Sequence, residues 1–247
     1  MITANQLKQD LEKLGIRPSD TLLIHSSMKA IGPVDGGADT VLDMLMDYFR
    51  DEGLLVFPTL SFRDINDRNP RFDVRNTPSC VGILPELFRQ RPGVIRSLHP
   101  THSLAAFGHD AAEFTAGHEK ALTPEPEGSP WWRLLERSGK ILFIGTGISC
   151  NTFLHGVDEW LKLPGMRSTE PQLLEVVDYD GKVHAVPQFR HCCGRNAYYG
   201  SCEARFDAAG AIVRGKFGEA DCHLLDCRKI AAELGLALPE CKKITAS

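Results

Sequence analysis

His155, Asp158 and Glu159 stand within one five-residue window of the stretch ILFIGTGISCNTFLHGVDE, residues 141–159. On a helix, positions three and four apart share a face, so the imidazole and both carboxylates project together. A histidine oriented by a carboxylate serves as a general base, worth roughly 100- to 10,000-fold in rate. Two further polar clusters follow apolar runs in the same manner. His25, Ser26 and Ser27 follow TLLI, and Thr59 and Ser61 follow LLVFP. Open α/β sheets bind ligands at the carboxyl ends of their strands, and a common sheet gathers the three clusters on one edge.

Other residues suggest different chemistry. The segment RSLHPTHS, residues 96–103, holds His99, His102 and Ser103. His-x-x-His invites a zinc reading with His155 or Asp158 as further ligands, hence a metal hydrolase. Pro100 argues against a helix that presents both histidines on one face, and no glutamate follows His99 as in the zinc-protease signature. Cys150, close to His155, is a weak candidate nucleophile. In the C-terminal third, His191, Cys192, Cys193, Cys202, Cys222, His223 and Cys227 show no Cys-x-x-Cys spacing, so buried thiols are the simpler reading. A Cys/His-rich interaction module, or one that binds CoA without transferring from it, stays open as an alternative. There is no GxxxxGK[ST], GxGxxG or GxSxG, which removes the commonest nucleotide and hydrolase motifs. The best anion site is then Thr77-Pro78-Ser79-Cys80-Val81-Gly82 ahead of a helix, because free amides at a helix start favour phosphate.

The elements that must position these groups alternate between strands and helices. Thr3 can cap a helix with Leu7, Leu11 and Leu14 on one stripe, and residues 21–24 make a strand. Residues 38–50 make a helix, 54–57 a strand, and 62–81 a long polar loop of the kind that carries function. A helix over 82–89, a strand over 104–107, and a helix opened by Ser129 and Pro130 follow. The apolar run 141–144 reads as a strand covered on both faces, with Asn151 or Thr152 capping the helix after it. Asp180-Gly181 between 173–177 and 182–186 signals a hairpin, and 222–236 reads as an amphipathic helix. The fold class expected is α/β: a three-layer α/β/α arrangement around a mixed, largely parallel sheet, with a C-terminal hairpin and helix, in a single domain over residues 1–247.

With 247 residues, a formal charge of −4 and no Lys/Arg run, the composition offers no footprint for nucleic acid or a membrane surface. The first residues lack the basic start and apolar middle of a signal peptide, which makes a cytoplasmic protein with reduced thiols the expectation.

Read in order, HSSMKAIGPVDGGADTVLDML, GLLVFPTLS, FDVRNTPSCVGILPELFRQRPGVIRSLHPTHSLAAFG, GSPWWRLLERSGKILFIGTG and NTFLHGVDE resemble the antibiotic N-acetyltransferase family typified by aminoglycoside 3-N-acetyltransferases. The resemblance runs through about residues 1–165 and resumes near Gly218. It implies metal-free acetyl transfer from acetyl-CoA as cosubstrate to an amine of an aminoglycoside or similar small molecule, in a ternary complex, and leaves a homodimer open. His155 falls on the family's catalytic base, and Asp158 stands where the family usually has Glu. His25, Ser26, Ser27, Thr77, Ser79, Val81, Gly82 and Ser103 fall in its CoA-binding region, with groups near Ser26 and Ser27 as oxyanion donors. Asp64 is the best match to an acidic residue that orients the histidine and contacts the drug. Asp67 is next, and Glu203 matches a further carboxylate. The sequence departs from the family at the short loop after Ser61, at Gly156 in place of a second histidine, and from His191 to Cys202.

Overall fold

The structure is a computed structural model that describes residues 1–192 and 194–241. From the N-terminus, α1 (Ala4–Lys13) leads to β1 (Thr21–Ser26), the single turn α2 (Met28–Ile31), α3 (Gly37–Phe49) and β2 (Leu54–Pro58). The long loop carries β3 (Arg71–Asp73) and gives way to α4 (Ile83–Phe88), β4 (Ile95–Arg96), β5 (Leu104–Gly108) and α5 (Ala111–Thr115). Then come α6 (Pro130–Glu136), β6 (Lys140–Ile144), α7 (Phe153–Trp160), β7 (Gln172–Val177) and β8 (Val183–Gln188). Helices α8 (Asn196–Ser201) and α9 (Glu203–Ala208), strands β9 (Ile212–Phe217) and β10 (Ala220–Asp226), and α10 (Cys227–Glu233) complete the described chain.

Seven strands form the main sheet in the order β4-β5-β2-β1-β6-β10-β9. Alternate residues of its central strands enter two separate cores. Leu23, Val56, Ile141 and Phe143 pack on one face with α6 and α7. Leu22, Leu55, Leu142 and Ile144 pack on the other with α1 and α3. Because both faces are buried, these strands read as continuous apolar runs, and the three layers follow. The sheet is mixed, as expected, but its parallel part is confined to β2-β1-β6. Strand β5 runs antiparallel to β2 and β4, and β10 runs antiparallel to β6 and β9. "Largely parallel" is therefore corrected: four of the six pairings are antiparallel, and the edge pairs β4–β5 and β9–β10 join through short connections.

The expected helix over 222–236 is divided. Cys222 to Asp226 belong to β10, whose Cys222, Leu224 and Leu225 are buried beside β6 and β9, so the pairing overrides a helical reading of the same apolar residues. Asp226 then caps α10, accepting from the Arg228 and Lys229 amides at 2.9 and 3.0 Å. The hairpin at Asp180-Gly181 is present, and β3 from the long loop extends it to a three-stranded sheet over Phe72, Leu174 and Val176. The caps at Thr3 and Ser129 form as expected. Neither Asn151 nor Thr152 caps α7 through its side chain: Asn151 closes a 3-10 turn over Ile148–Cys150, and Thr152 already has helical backbone. Among the described residues no helix is long and apolar enough to cross a membrane.

Candidate active site

At the carboxyl ends of β1, β2 and β6 lies a cleft in two halves that share Leu60, Arg63, Val81, Cys150 and Thr152. One half, of about 490 Å³, is lined by His155 together with His102, Arg190 and His191. The other, of about 300 Å³, is lined by His25, Ser26 and Thr146. Two of the three polar clusters thus converge; Thr59 and Ser61 do not line the cleft but are buried, with their hydroxyls on Ser103 O and Pro100 O.

His155 lies in the first turn of α7. Its Nδ1 is 2.9 Å from the Tyr199 hydroxyl, which donates to Asp158 Oδ2 at 2.6 Å. The single phenolic hydrogen goes to Asp158, so the phenol oxygen accepts from His155 Nδ1–H and Nε2 is left as the basic nitrogen. Asp158 is 2 % exposed and also accepts from Arg195 at 3.2 Å. Burial raises its carboxyl, while the bonds from Tyr199 and Arg195 oppose the rise. The shared helix face is therefore real, but the carboxylate reaches the imidazole through a tyrosine 44 residues away in sequence. Burial, then the charges of His191 and Arg195, push His155 down to about 3, so the ring is neutral at physiological pH.

Glu159 faces a different partner. It accepts from His191 Nε2 at 2.7 Å, from Thr123 Oγ1 at 2.6 Å and from the Glu125 amide at 3.2 Å. His191 in turn stacks on His155 with ring centroids 4.9 Å apart. The two carboxylates of the helix thus hold the imidazole indirectly, one through Tyr199 and one through His191.

The smaller half is built differently. His25 stacks on Phe143 at 4.9 Å and 6°, and burial pushes it down to about 3. Its Nε2, Ser26 Oγ and Thr146 Oγ1 are buried without a hydrogen-bond partner. Three such orphans around one cleft are the mark of a polar ligand's place. The Ser27 amide is unavailable for an oxyanion, since it donates to Ile144 O at 2.9 Å to hold the end of β1 on β6. The 77–82 segment is likewise closed on itself. Ser79 N donates to Glu86 Oε2 at 2.6 Å, Cys80 N to Leu60 O at 2.8 Å and Val81 N to Ser79 Oγ at 3.5 Å. Three of the amides expected to be free there are therefore taken, the Ser79 amide by the carboxylate of Glu86 in the first turn of α4. Val81 lines the cleft, and Gly82 is the exposed residue at the start of α4, at φ +123°.

Thr77 and Ser103 are buried struts rather than cleft residues. Thr77 Oγ1 accepts from the Asp73 amide at 2.8 Å. Arg96, 2 % exposed, donates to Thr59 O at 2.6 Å, Thr77 O at 2.6 Å and Ser103 Oγ at 3.0 Å. One buried guanidinium thereby ties the end of β2, the long loop and β5 together, and burial pushes it down to about 9. His99 is committed too: its Nδ1 accepts the Thr101 and His102 amides, and its Nε2 lies 3.3 Å from Thr123 O. With both ring nitrogens taken, His99 is not placed as a metal ligand, and among the described residues no group of three His, Cys, Asp or Glu is. Cys150 lines both halves of the cleft, and no hydrogen bond joins it to His155.

A family model for aminoglycoside 3-N-acetyltransferase matches residues 23–235. The chain belongs to this family. It is an acyltransferase, similar to aminoglycoside N(3)-acetyltransferase VII of Streptomyces paromomycinus at 30 % identity, over 97 % of this chain and 92 % of that one. It is also 31 % identical to aminoglycoside N(3)-acetyltransferase III of Serratia marcescens, over 74 % and 73 %. Among solved structures, AAC-IIIb with CoASH superposes with a TM-score of 0.79 at 28 % identity, covering 94 % of both chains. A variant of AAC(3)-IVa in complex with a gentamicin gives 0.80 at 27 %, covering 94 % of this chain and 86 % of that one.

Several positions that the family resemblance singled out lie away from the cleft. Asp64 is exposed at the start of the long loop, and no hydrogen bond or ion pair joins it to His155, whose Nδ1 partner is Tyr199. Asp67 accepts from Gln172 Nε2 at 2.5 Å on the outer side of the loop. Glu203 pairs with Arg214 at 3.1 Å and His223 at 3.4 Å, tying α9 to β9 and β10. The acyltransferase's Gly156 has a physical reason. A Cβ there would meet Trp160 Cζ2 at 2.8 Å and Glu125 Oε2 at 3.0 Å, so no side chain fits. The site roles of Tyr199, His191, Arg190 and Arg195 escape sequence reading. Their one signal is the density of Arg, His, Asn and Tyr between 190 and 199, in a segment without periodicity. Cys193, one of the cysteines noted there, lies outside the described residues.

Proposed function

We propose that this chain, as one catalytic domain, transfers the acetyl group of acetyl-CoA to the amine of a small-molecule acceptor in a ternary complex, with His155 as general base. The observation that carries the reading is the Asp158–Tyr199–His155 chain, which presents a neutral imidazole in the larger half of a cleft whose smaller half adjoins it. One related structure is a complex with CoASH, and others are complexes with a gentamicin or with sisomicin, which supports a cleft that takes both a CoA and an amine.

The smaller half suits the donor. The unpartnered His25 Nε2, Ser26 Oγ and Thr146 Oγ1 offer polar partners to a bound thioester, and Ser26 Oγ can donate to the acetyl oxygen as charge develops on it. Such a contact is worth roughly 3 kcal/mol. The larger half holds the acceptor beside His155.

An ammonium has no lone pair, so its proton must leave before nitrogen attacks. His155 Nε2 takes it, and the imidazolium that forms keeps its Nδ1–H on Tyr199, whose hydroxyl passes the influence of Asp158 to the ring. As the C–N bond forms and the C–S bond breaks, the surplus proton on nitrogen passes to the departing sulfur, so that CoA leaves as the thiol, and His155 returns its own proton to solvent. Burial, then the charges of His191 and Arg195, keep His155 unprotonated at neutral pH, which leaves the Nε2 lone pair open to the amine's proton.

Thiol release from acetyl-CoA that depends on an added amine and yields N-acetylated product by mass spectrometry is the expected result. An acetylated Cys150 that forms and decays at the rate of turnover overturns direct transfer.

A further inference from the structure

Building on the transfer reading above, we propose that the natural acceptor is an amine that also carries an anionic group, a carboxylate or a phosphate, and that Arg190 and Arg63 receive that group. Among the described residues that line the acceptor half there is no aspartate or glutamate, while Arg63, Arg190 and three histidines face it. The carboxylates behind the wall are already committed. Asp158 is bound by Tyr199 and Arg195, and Glu159 by His191 and Thr123. On the loop, Asp67 is held by Gln172, and Asp64 is exposed outside the lining.

Arg190 is the decisive group. It is partly buried, and its donors meet only neutral oxygens: Gln172 Oε1 at 2.6 Å, Ile65 O at 3.2 Å and Phe62 O at 3.5 Å. Among the described residues no carboxylate lies within ion-pair distance of it, and none pairs with Arg63, which rests over the Phe62 ring at 5.9 Å. Asp67 acts on Arg190 only at a distance, across Gln172, so this partly buried guanidinium has no carboxylate in contact with it and a ligand's anion can supply one. Arg190 lines the acceptor half alone, whereas Arg63 borders both halves, so an anion on the acceptor meets Arg190 first.

The same lining works against a polycation. Several ammonium groups would enter a cleft whose fixed charges are arginines, with no exposed carboxylate there to pair them. Like charges brought together in a partly desolvated site repel. The acetyl-accepting amine itself escapes this, because it approaches His155 and gives up its proton there.

Four acceptors test the idea by their kcat/KM in thiol release. Glucosamine, glucosamine 6-phosphate and muramic acid share one amine and differ in carrying no anion, a phosphate or a carboxylate, and gentamicin is the polycation. The expected result is that at least one anionic sugar exceeds glucosamine by roughly tenfold or more, as a charge-assisted hydrogen bond implies. Which of the two leads identifies phosphate or carboxylate as the group received. The ratio of anionic sugar to glucosamine should fall toward one in Arg190→Gln and survive in part in Arg190→Lys. Because each ratio is taken within one variant, partial loss of folded protein does not move it. Turnover led by gentamicin, with no gain from either anion, overturns the proposal and leaves the transferase standing. Turnover of none of the four sinks both.

Discussion

The two walls of the cleft are made in opposite ways. The donor wall is assembled from strand ends and leaves its polar atoms unpaired: His25 Nε2, Ser26 Oγ and Thr146 Oγ1 have no partner in the protein. The acceptor wall is assembled from α7 and the 190–199 segment, and its groups are joined into chains through Tyr199 and His191. His25 and His155 make the contrast sharp, since both are pushed down to about 3. For His25 burial is the cause. For His155 burial is joined by the charges of His191 and Arg195. An orphaned wall waits for a ligand to satisfy it, whereas a wired wall holds one ring in one orientation and tautomer. The first is suited to binding and the second to proton transfer.

The largest effect that tests this division is the loss of His155. His155→Ala should lower kcat by roughly 100- to 10,000-fold while KM for acetyl-CoA holds. Ser26→Ala should instead lower kcat/KM for acetyl-CoA by roughly 100-fold, the scale of one hydrogen bond to a developing oxyanion. Steady-state kinetics with both substrates varied separates the two, and a KM effect confined to His155→Ala breaks the assignment of the walls.

Next in size is Tyr199→Phe, which keeps the ring and removes the hydroxyl that links His155 to Asp158. We expect kcat to fall roughly tenfold or somewhat more, with the KM for acetyl-CoA unchanged. The acid limb of the pH profile should also move, because the imidazolium loses its partner. A uniform loss of folded protein, with kcat per folded molecule intact, would make Tyr199 a packing residue only.

The difference between the walls also decides what can be read without a structure. Apolar runs such as LLIHSS and ILFIG announce buried strands, and polar residues after them fall at the strand ends by topology. His25, Ser26 and His155 are therefore legible. So are the three layers, the caps at Thr3 and Ser129, and the hairpin at Gly181. The roles of Tyr199 and His191 are not, because their meaning lies in contacts 44 and 32 residues away, and no local period marks them. Strand β10 misleads for a related reason: its apolar residues suit a helix face as well as an alternating strand, and only pairing with β6 chooses. Asp64 is placed by motif order in a loop of different length, where order does not fix position. Thr77 and Ser103 occupy places next to the cleft, yet Arg96 uses them from behind.

The change that touches the rate least should show most clearly in stability. Glu125 lies behind the acceptor wall against Gly156, and burial, then Glu159 and Asp158, hold its carboxyl well above the usual range. A raised folded-state value means that Glu125 contributes its full stability below the unfolded value near 4.5. That stability is lost as pH rises toward the folded value, because the unfolded chain releases the proton first. The slope for one such group is about 1.4 kcal/mol per pH unit. Glu125→Gln keeps the shape without a titrating proton. Urea unfolding of both proteins should therefore agree near pH 4.5 and diverge in favour of the variant as the pH rises above it. The buried histidines, whose lowered values destabilise the fold as pH falls below about 6.5, act equally on both proteins and cancel in the difference. Parallel stability curves would mean that Glu125 is ionised in the fold, and that the acceptor wall rests on three buried carboxylates rather than two and a neutral acid.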